Sequence, residues 1–229
     1  MNAIAKMAEV TLSVSNSDEF KLNELIKSQE QIFKDEFSVS DPNIFIDINE
    51  TEKVSRVFAS STKDSLINIL RLTPNGVQTM SAGIEGLVES SNNIGVLEME
   101  NEKVIFSNAI RSSVKSLKDE LNSRIDIICK LTGAEMKLIA DYPEWQYKVD
   151  SPIRDLMGDV FKEKFKKELK IDAIHAGLEC GFLKEKLGDI DMVSIGPDIR
   201  DVHTPQENLS VSSTQRVYEF LVEVLSKIK

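Results

Sequence analysis

Both histidines of the chain, His175 and His203, lie in one stretch near its carboxyl end, residues 175–207. His175 opens the run His-Ala-Gly-Leu-Glu-Cys-Gly, and His203 opens His-Thr-Pro. Between them an apolar run, Met192–Ile195, stops at a Gly-Pro pair, which is typical of a buried strand that enters a turn. Loops beside such strands often carry the binding side chains of α/β proteins, so this stretch is the first candidate for chemistry.

Each candidate side chain in this stretch also has a purely structural interpretation. Neutral imidazole is a frequent zinc ligand, which favours metal binding by His203, but a lone histidine in a loop is usually just solvated. Gly177 stands before a helix predicted near Leu178, where free backbone amides attract a carboxylate. A loop glycine needed only for its backbone angles explains Gly177 nearly as well. His175 is as well explained by packing under a loop as by substrate contact, and we assign it no role.

A third candidate lies earlier in the chain. Arg111 follows the apolar run Val104–Ile110, where a long cation is unexpected if the site is purely structural. A guanidinium group binds a carboxylate through two parallel hydrogen bonds, which suits it to hold the carboxyl end of a peptide. The alternative for Arg111 is a surface salt bridge.

The composition bounds the class of protein. The chain has 229 residues, of which 41% are hydrophobic, and a formal net charge of −10. This length suffices for one large or two small domains with a core, and the acidic balance argues against a nucleic-acid-binding surface. Two cysteines without Cys-x-x-Cys spacing predict neither a disulfide framework nor a zinc ribbon. No apolar run approaches the roughly 18 residues of a membrane helix, and no signal-peptide core is present, so we expect a cytoplasmic protein.

Hydrophobic periodicity and capping residues outline the elements that must position these side chains. They predict helices after residues 15–18, after 61–64, over 114–128, from 151 to 165, just after the His-Ala-Gly run and over 217–228. Apolar runs predict strands at 10–14, 44–48, 94–99, 104–110, 136–140, 171–174 and 192–195, with 94–99 and 104–110 paired as a hairpin. The earlier part thus predicts an antiparallel α+β layer. After a composition change at residues 142–145, alternating strands and helices predict the end of a mostly parallel α/β sheet.

Several short motifs together resemble one family. They are, in order, Asn2-Ala3-Ile4, Thr73-Pro74-Asn75-Gly76-Val77, Ile110-Arg111-Ser112, Tyr142-Pro143-x-Trp145-Gln146, His-Ala-Gly-Leu-Glu-Cys-Gly, Asp-Met-Val-Ser-Ile-Gly-Pro and His-Thr-Pro. This series resembles the aminoacyl-histidine (Xaa-His) dipeptidases, dinuclear zinc peptidases whose catalytic domain is interrupted by a lid domain. The resemblance covers essentially the whole chain, although the chain has only about half of the family's usual length.

The resemblance implies a division of the chain and a role for several residues. Residues 1–145 are expected to form most of an antiparallel sheet-and-helix lid, and residues 146–229 the C-terminal part of a mostly parallel α/β catalytic domain. By the same resemblance, His203 is a metal ligand, Gly177 and Arg111 hold the carboxyl end of the dipeptide, and Asn2 contacts substrate. At Asn2 the chain departs from the family, because Ala5-Lys6 stands where the family often has Pro-Arg.

The family's remaining metal ligands and its general base have no counterpart in this sequence. The chain contains no His-x-Asp and no Glu-Glu, the motifs that carry them. We therefore expect a truncated portion of a zinc dipeptidase that cleaves Xaa-His dipeptides, including β-alanyl-histidine, by metal-activated water. The chain alone is expected to be inactive, without zinc or a catalytic residue, and homodimeric by analogy with related lids. The alternative is a stand-alone, non-catalytic binding or dimerisation module that reuses the lid.

Overall fold

The computed structural model describes residues 4–173, 178–202 and 204–228. The chain divides into two compact units, Lys6–Asn68 and Ile69–Lys229, the second joined by Ile4 and Ala5. The domain boundary near residue 145 that the composition suggests stays a prediction. Of the described helices, none combines the length and the apolar character needed to cross a membrane.

The first unit is built around helix α1 (Glu19–Glu36) and contains the start of helix α2 (Ser60–Leu72). Both helices lie where capping residues and apolar spacing predict them. None of the described residues of this unit is buried, and Phe20 of α1 is 75% exposed. The strands predicted at residues 10–14 and 44–48 are wrong, because these residues adopt no regular structure. A strand needs a neighbour for its backbone N–H and C=O groups, and neither segment pairs with one.

The second unit begins with an antiparallel sheet in the order β1-β2-β3. Its strands are β1 (Gly76–Met80), β2 (Val88–Glu100) and β3 (Lys103–Ser112). The predicted hairpin between β2 and β3 is confirmed, and its loop is the pair Asn101 and Glu102, with φ of 48° and 63°. Two positive φ angles give the two-residue turn whose twist matches that of the strands it joins. Strand β1 was not predicted from the sequence.

Hydrogen bonds of two asparagine side chains, one of them buried, attach the Thr-Pro-Asn-Gly turn before β1 to the sheet. Asn92 of β2 is 1% exposed, and its Nδ2 donates to the Pro74 carbonyl at 2.6 Å and to Asn108 Oδ1 at 3.0 Å. Asn75 Oδ1 in turn accepts from the Ile94 N–H at 2.9 Å. Gly76 then starts β1 with φ of 82°, a conformation that glycine adopts at low cost. This turn therefore has a fixed place beside β2.

Helix α3 (Lys115–Thr132) packs against β3 and β2. Its buried apolar face is formed by Leu121, Ile125 and Ile128, which recur at helical spacing. Gly133 ends the helix with φ of 73°, the left-handed C-terminal conformation that the sequence indicates. The predicted helix over 114–128 and its end are thus confirmed.

The last part of the second unit contains helix α4 (Pro152–Phe165), helix α5 (Glu179–Leu187), the short pair β4 (Ile199–Arg200) and β5 (Asn208–Leu209), and helix α6 (Val211–Lys227). Helices α4 and α6 share a core of Met157, Val160, Phe220 and Val224. The strands predicted at 136–140, 171–174 and 192–195 are wrong for every described residue among them; Ile174 lies outside the described part. The described strands pair only in antiparallel fashion, so the mostly parallel sheet stays a prediction.

The start of α4 is stabilised by a side chain from a distant part of the sequence. Ser151, the predicted N-cap, accepts from the Arg154 N–H at 3.3 Å and donates to Asp191 Oδ1 at 2.7 Å. Asp191 Oδ2 accepts from the Ile153 N–H at 3.0 Å. Burial acts to raise the pKa of Asp191, but the hydrogen bonds from Ile153 and Ser151 outweigh it and leave the pKa below its usual value.

The lowered pKa of Asp191 predicts a specific acid sensitivity. A carboxyl group whose pKa is depressed in the folded state stabilises the fold above its unfolded pKa of roughly 4. That stabilisation is lost as the pH falls through the folded pKa. Asp191→Asn should lower the free energy of unfolding by about 1 kcal/mol at pH 7. The difference in stability between the variant and the wild type should disappear in acid. Urea unfolding from neutral pH to below pH ~4 measures it. Asp189→Asn, at an exposed carboxylate nearby, is the control, and parallel acid slopes for wild type and Asp191→Asn would contradict this account.

Asn92→Ala should destabilise the sheet. The substitution leaves the buried carbonyl of Pro74 without its donor, which costs about 1–3 kcal/mol. Thermal and urea unfolding of the variant measure the loss, with Glu98→Ala, an exposed change on the same strand, as the matched control. If both variants have the unfolding temperature and urea midpoint of the wild type, the Asn92 contacts do not stabilise the turn.

Candidate functional site

Arg111 lies near the carboxyl end of β3, on the less buried face of the sheet. In the strand register it stands directly opposite Ser91 of β2, which in turn stands opposite Val77 of β1. Residues paired directly across antiparallel strands project to the same face. Ser90 and Asn92, on the other face, are both 1% exposed, whereas Val77 is 55% exposed. The guanidinium therefore belongs to a face that the second unit leaves partly accessible.

The surroundings of Arg111 on this face are small and polar. Ser91 and Asn93 of β2 alternate to the same side as Arg111, and Ala109 stands opposite Asn93. Hydroxyl and amide groups beside a half-buried guanidinium can supplement it in binding an anionic oxygen. The arrangement suits recognition of a carboxylate.

The end of β3 is held in place by its last residue. The Ser112 hydroxyl lies 2.9 Å from the carbonyl oxygens of Glu89 and Val114 and accepts from the Val114 N–H at 3.0 Å. Val114 is the N-cap of α3. Arg111 consequently stands at a junction where β2, β3 and α3 meet, so its backbone position is fixed by three elements.

The other predicted site residues are Asn2, Gly177 and His203, and all three lie outside the described residues, as does His175. Of the predicted site residues, Arg111 is the one whose position the described structure gives. The roles of Asn2 and Gly177 in substrate binding and of His203 as a metal ligand stay predictions.

The described residues do not form a metal site by themselves. Within residues 4–173, 178–202 and 204–228, no three His, Cys, Asp or Glu side chains come together in a way that could hold a metal ion. Zinc sites need several such ligands around one ion. The donor set of the described part of the chain therefore does not fit the zinc that the resemblance implies, and we derive no catalytic step through it.

A charged cluster around a buried lysine, which the sequence analysis missed, lies where α3 meets residues 141–144. Lys118 of α3 is 8% exposed, and its ammonium donates to Asp141 Oδ1 at 2.5 Å and to the Tyr142 carbonyl at 2.8 Å. It also forms an ion pair with Glu144, whose Oε1 makes no hydrogen bond of good geometry. Burial acts to lower the pKa of Lys118, but these carboxylates outweigh it and raise the pKa. The partners lie more than twenty positions from Lys118, too far apart for a sequence pattern to reveal.

Comparison with known proteins identifies relatives along nearly the whole chain. No protein-family model matches. The chain is 34% identical over 227 residues to the cytosol non-specific dipeptidase of Escherichia coli (strain K12), which is 99% of this chain and 47% of that protein. Among solved structures it is similar to the crystal structure of aminoacylhistidine dipeptidase from Vibrio alginolyticus. That similarity has a TM-score of 0.84 and 32% identity, and covers 93% of this chain and 44% of the other.

The chain spans about half the length of the curated relative it matches. Two independent comparisons, one of sequence and one of structure, agree on dipeptidases. The resemblance that the sequence motifs indicate is therefore confirmed: the chain is similar to about half of each of these two dipeptidases.

Proposed function

We propose that this chain supplies the lid (residues 1–145) and the last part of the catalytic domain (146–229) of a dipeptidase that cleaves Xaa-His dipeptides, including β-alanyl-histidine. The observation that carries the proposal is Arg111, a cation on the accessible face of an antiparallel sheet. The similarity to two dipeptidases over nearly the whole chain supports the same reaction class.

Arg111 binds the carboxyl end of the dipeptide in this proposal. A dipeptide's terminal carboxylate lies close to its scissile bond, so a fixed guanidinium sets how far the substrate enters the site. Two parallel N–H···O bonds also fix the plane of the carboxylate, which a lysine ammonium does not do. Gly177 and Asn2 complete this pocket by resemblance.

Zinc is the proposed cofactor of the complete dipeptidase, with His203 as one of its ligands. Zinc bound by a dipeptidase supplies an activated water and polarises the peptide carbonyl. Most of the ligands then come from residues outside this chain, because the described residues form no metal site. The chain alone is proposed to be inactive for the same reason.

The complete protein is proposed to be a cytoplasmic homodimer. The E. coli relative is named a cytosol dipeptidase, which supports the location. Helix α1 exposes large apolar side chains in a unit without a buried residue among those described: Phe20 is 75% exposed and Leu25 65%. Apolar surface of this kind is stabilised when a second copy covers it.

Replacing the matched segment of the E. coli dipeptidase by this chain tests the proposal. The chimaera should hydrolyse Xaa-His dipeptides in the presence of zinc, whereas the 229-residue chain alone should neither turn over substrate nor retain stoichiometric metal. Elemental analysis and a hydrolysis assay on both proteins measure this. Turnover by the chain alone would show that no further half is needed. A folded, metal-loaded but inactive chimaera would favour the alternative, a stand-alone binding or dimerisation module.

Arg111→Ala in the active chimaera should raise KM while zinc content stays unchanged. Loss of a charge-assisted bidentate contact costs on the order of 1.5–3 kcal/mol, or about ten- to a hundred-fold in KM. Arg111→Lys should recover only part of the loss, because the ammonium cannot form the planar pair of bonds. Lys103→Ala, which removes an exposed cation at the other end of β3, is the matched control. An unchanged KM for Arg111→Ala with the fold intact would exclude its role.

A further inference from the structure

Residues 141–145, here named the connecting segment, follow α3 and precede α4, and they are bound from the α3 side by Lys118. The ammonium contacts three groups of this segment: Asp141 Oδ1 at 2.5 Å, the Tyr142 carbonyl at 2.8 Å and the Glu144 carboxylate. The Lys118 and Glu144 side chains are only 10% and 12% exposed. A buried ion pair of this kind adds little net stability, but removing one member leaves the other charge buried and uncompensated. The ammonium thus defines where the connecting segment lies on α3.

The connecting segment is contacted by α5 as well. Gly181 of α5 is buried, and a Cβ placed on it would lie 2.3 Å from the Pro143 carbonyl oxygen and 3.0 Å from the carbonyl carbon. The obstacle is backbone, which cannot turn aside as a flexible side chain does, so glycine is the residue that permits this approach. The next residue, Phe182, packs edge-on against Tyr142 with ring centres 5.4 Å apart. Consecutive residues of the connecting segment therefore touch α3 and α5 in turn.

The two contacts lie on adjacent residues of one short segment, so they act on each other. The Tyr142 carbonyl accepts a hydrogen bond from Lys118, and the Tyr142 ring packs against Phe182. The Pro143 carbonyl lies against Gly181. Proline restricts the backbone of both residues, which limits how far one contact can shift without the other. A displacement of the connecting segment on α3 is consequently passed to the amino-terminal turn of α5.

We propose that Lys118 and Gly181 are positioning residues, which fix the start of α5 relative to α3 through the connecting segment and so set the geometry of the substrate-carboxylate pocket. The inference rests on the proposed function, in which Arg111 and Gly177 hold the dipeptide carboxylate. Arg111 directly precedes the residues that lead into α3, and Gly177 stands two positions before the first residue of α5 in the sequence. The connecting segment contacts α3, which follows the strand that carries Arg111, and α5, which follows Gly177 in the sequence; neither Lys118 nor Gly181 is proposed to touch the carboxylate.

The chain contains its own reporter of the position of α5. Cys180 lies beside Gly181 in α5 and is half-buried, and Cys129 lies in α3 and is half-buried too. Burial raises the pKa of both thiols, so both should react slowly with a thiol reagent at neutral pH. If α5 moves away from the connecting segment, Cys180 gains exposure and Cys129 does not. The ratio of the two labelling rates separates a local displacement from general unfolding.

The decisive comparison is Gly181→Ala against Gly158→Ala. Both glycines lie inside helices, so both substitutions gain similar helix propensity. A Cβ at Gly158 meets nothing within 4 Å, whereas at Gly181 it meets the Pro143 carbonyl. In the purified chain, Gly181→Ala should speed Cys180 labelling by about ten-fold with Cys129 unchanged; Gly158→Ala should alter neither. Mass spectrometry of the labelled peptides gives both rates.

The same pair is tested for substrate binding in the active chimaera. Gly181→Ala should raise KM for an Xaa-His dipeptide by about ten- to a hundred-fold, with a smaller change in kcat, because a misplaced pocket loses ground-state binding. Lys118→Met should act in the same direction, and Lys118→Met combined with Glu144→Gln should recover part of the loss, since the second change removes the uncompensated buried charge.

The two readouts distinguish failure of this inference from failure of the proposed function. An inactive wild-type chimaera would overturn the proposed function, and the pocket role with it, while the labelling rates of the chain still decide whether Gly181 fixes α5. Equal labelling of Cys180 in Gly181→Ala and Gly158→Ala would overturn the contact itself. Faster labelling with an unchanged KM in an active chimaera would overturn the positioning role.

Discussion

The hydrogen-bond ladder between β2 and β3 is the constraint on which the rest of the second unit depends. β1 pairs with the other edge of β2, and α3 packs against both strands of the ladder. The register also decides the candidate site, because side chains alternate between faces along a strand. A slip of one residue would carry Arg111 to the face that buries Ser90 and Asn92. The two-residue turn at Asn101 and the irregularity between Ile94 and Val96 fix this register, so a turn distant from Arg111 determines which way its guanidinium projects.

The elements that could be predicted from the sequence are those whose stabilising groups lie nearby in the chain. Helices α3 and α4 were located because Gly133 and Ser151-Pro152 carry their own end signals. The β2–β3 hairpin was located because its strands are neighbours in sequence. The apolar runs at 10–14, 136–140 and 192–195 have the same alternating or continuous character, yet no described strand pairs with them. Alternation of apolar and polar residues indicates which side chains are buried. A strand also needs hydrogen bonds to a neighbouring strand, and the pattern does not say which segment that neighbour is.

The same limit applies to the site. Arg111 is a candidate from the sequence because a cation is unusual at the end of an apolar run, and its role stays a prediction. Lys118 is not a candidate from the sequence, because on a helix its position resembles that of any solvated lysine, and what makes it different is burial against Glu144. Asn92 stands in a run of polar residues within β2, so its sequence does not indicate burial. The fold shows that its amide donates to the Pro74 carbonyl. Buried polar groups are therefore the residues that sequence reasoning passes over most readily, because the missing information is the position of a remote partner.

Directional polar contacts and apolar packing have different tasks in the second unit. The shared core of α4 and α6, built on Val160 and Val224, tolerates small shifts because dispersion and burial have little dependence on direction. The contacts of Asp191 with the start of α4 and of Lys118 with the connecting segment do depend on direction, since a displacement of about 1 Å takes a hydrogen bond outside its geometric range. Each of them joins parts of the chain that are remote in sequence at the end of a helix. Removing one member of the Lys118–Glu144 pair leaves the other charge buried and uncompensated, so such a pair holds remote segments in one arrangement even where its net contribution to stability is small.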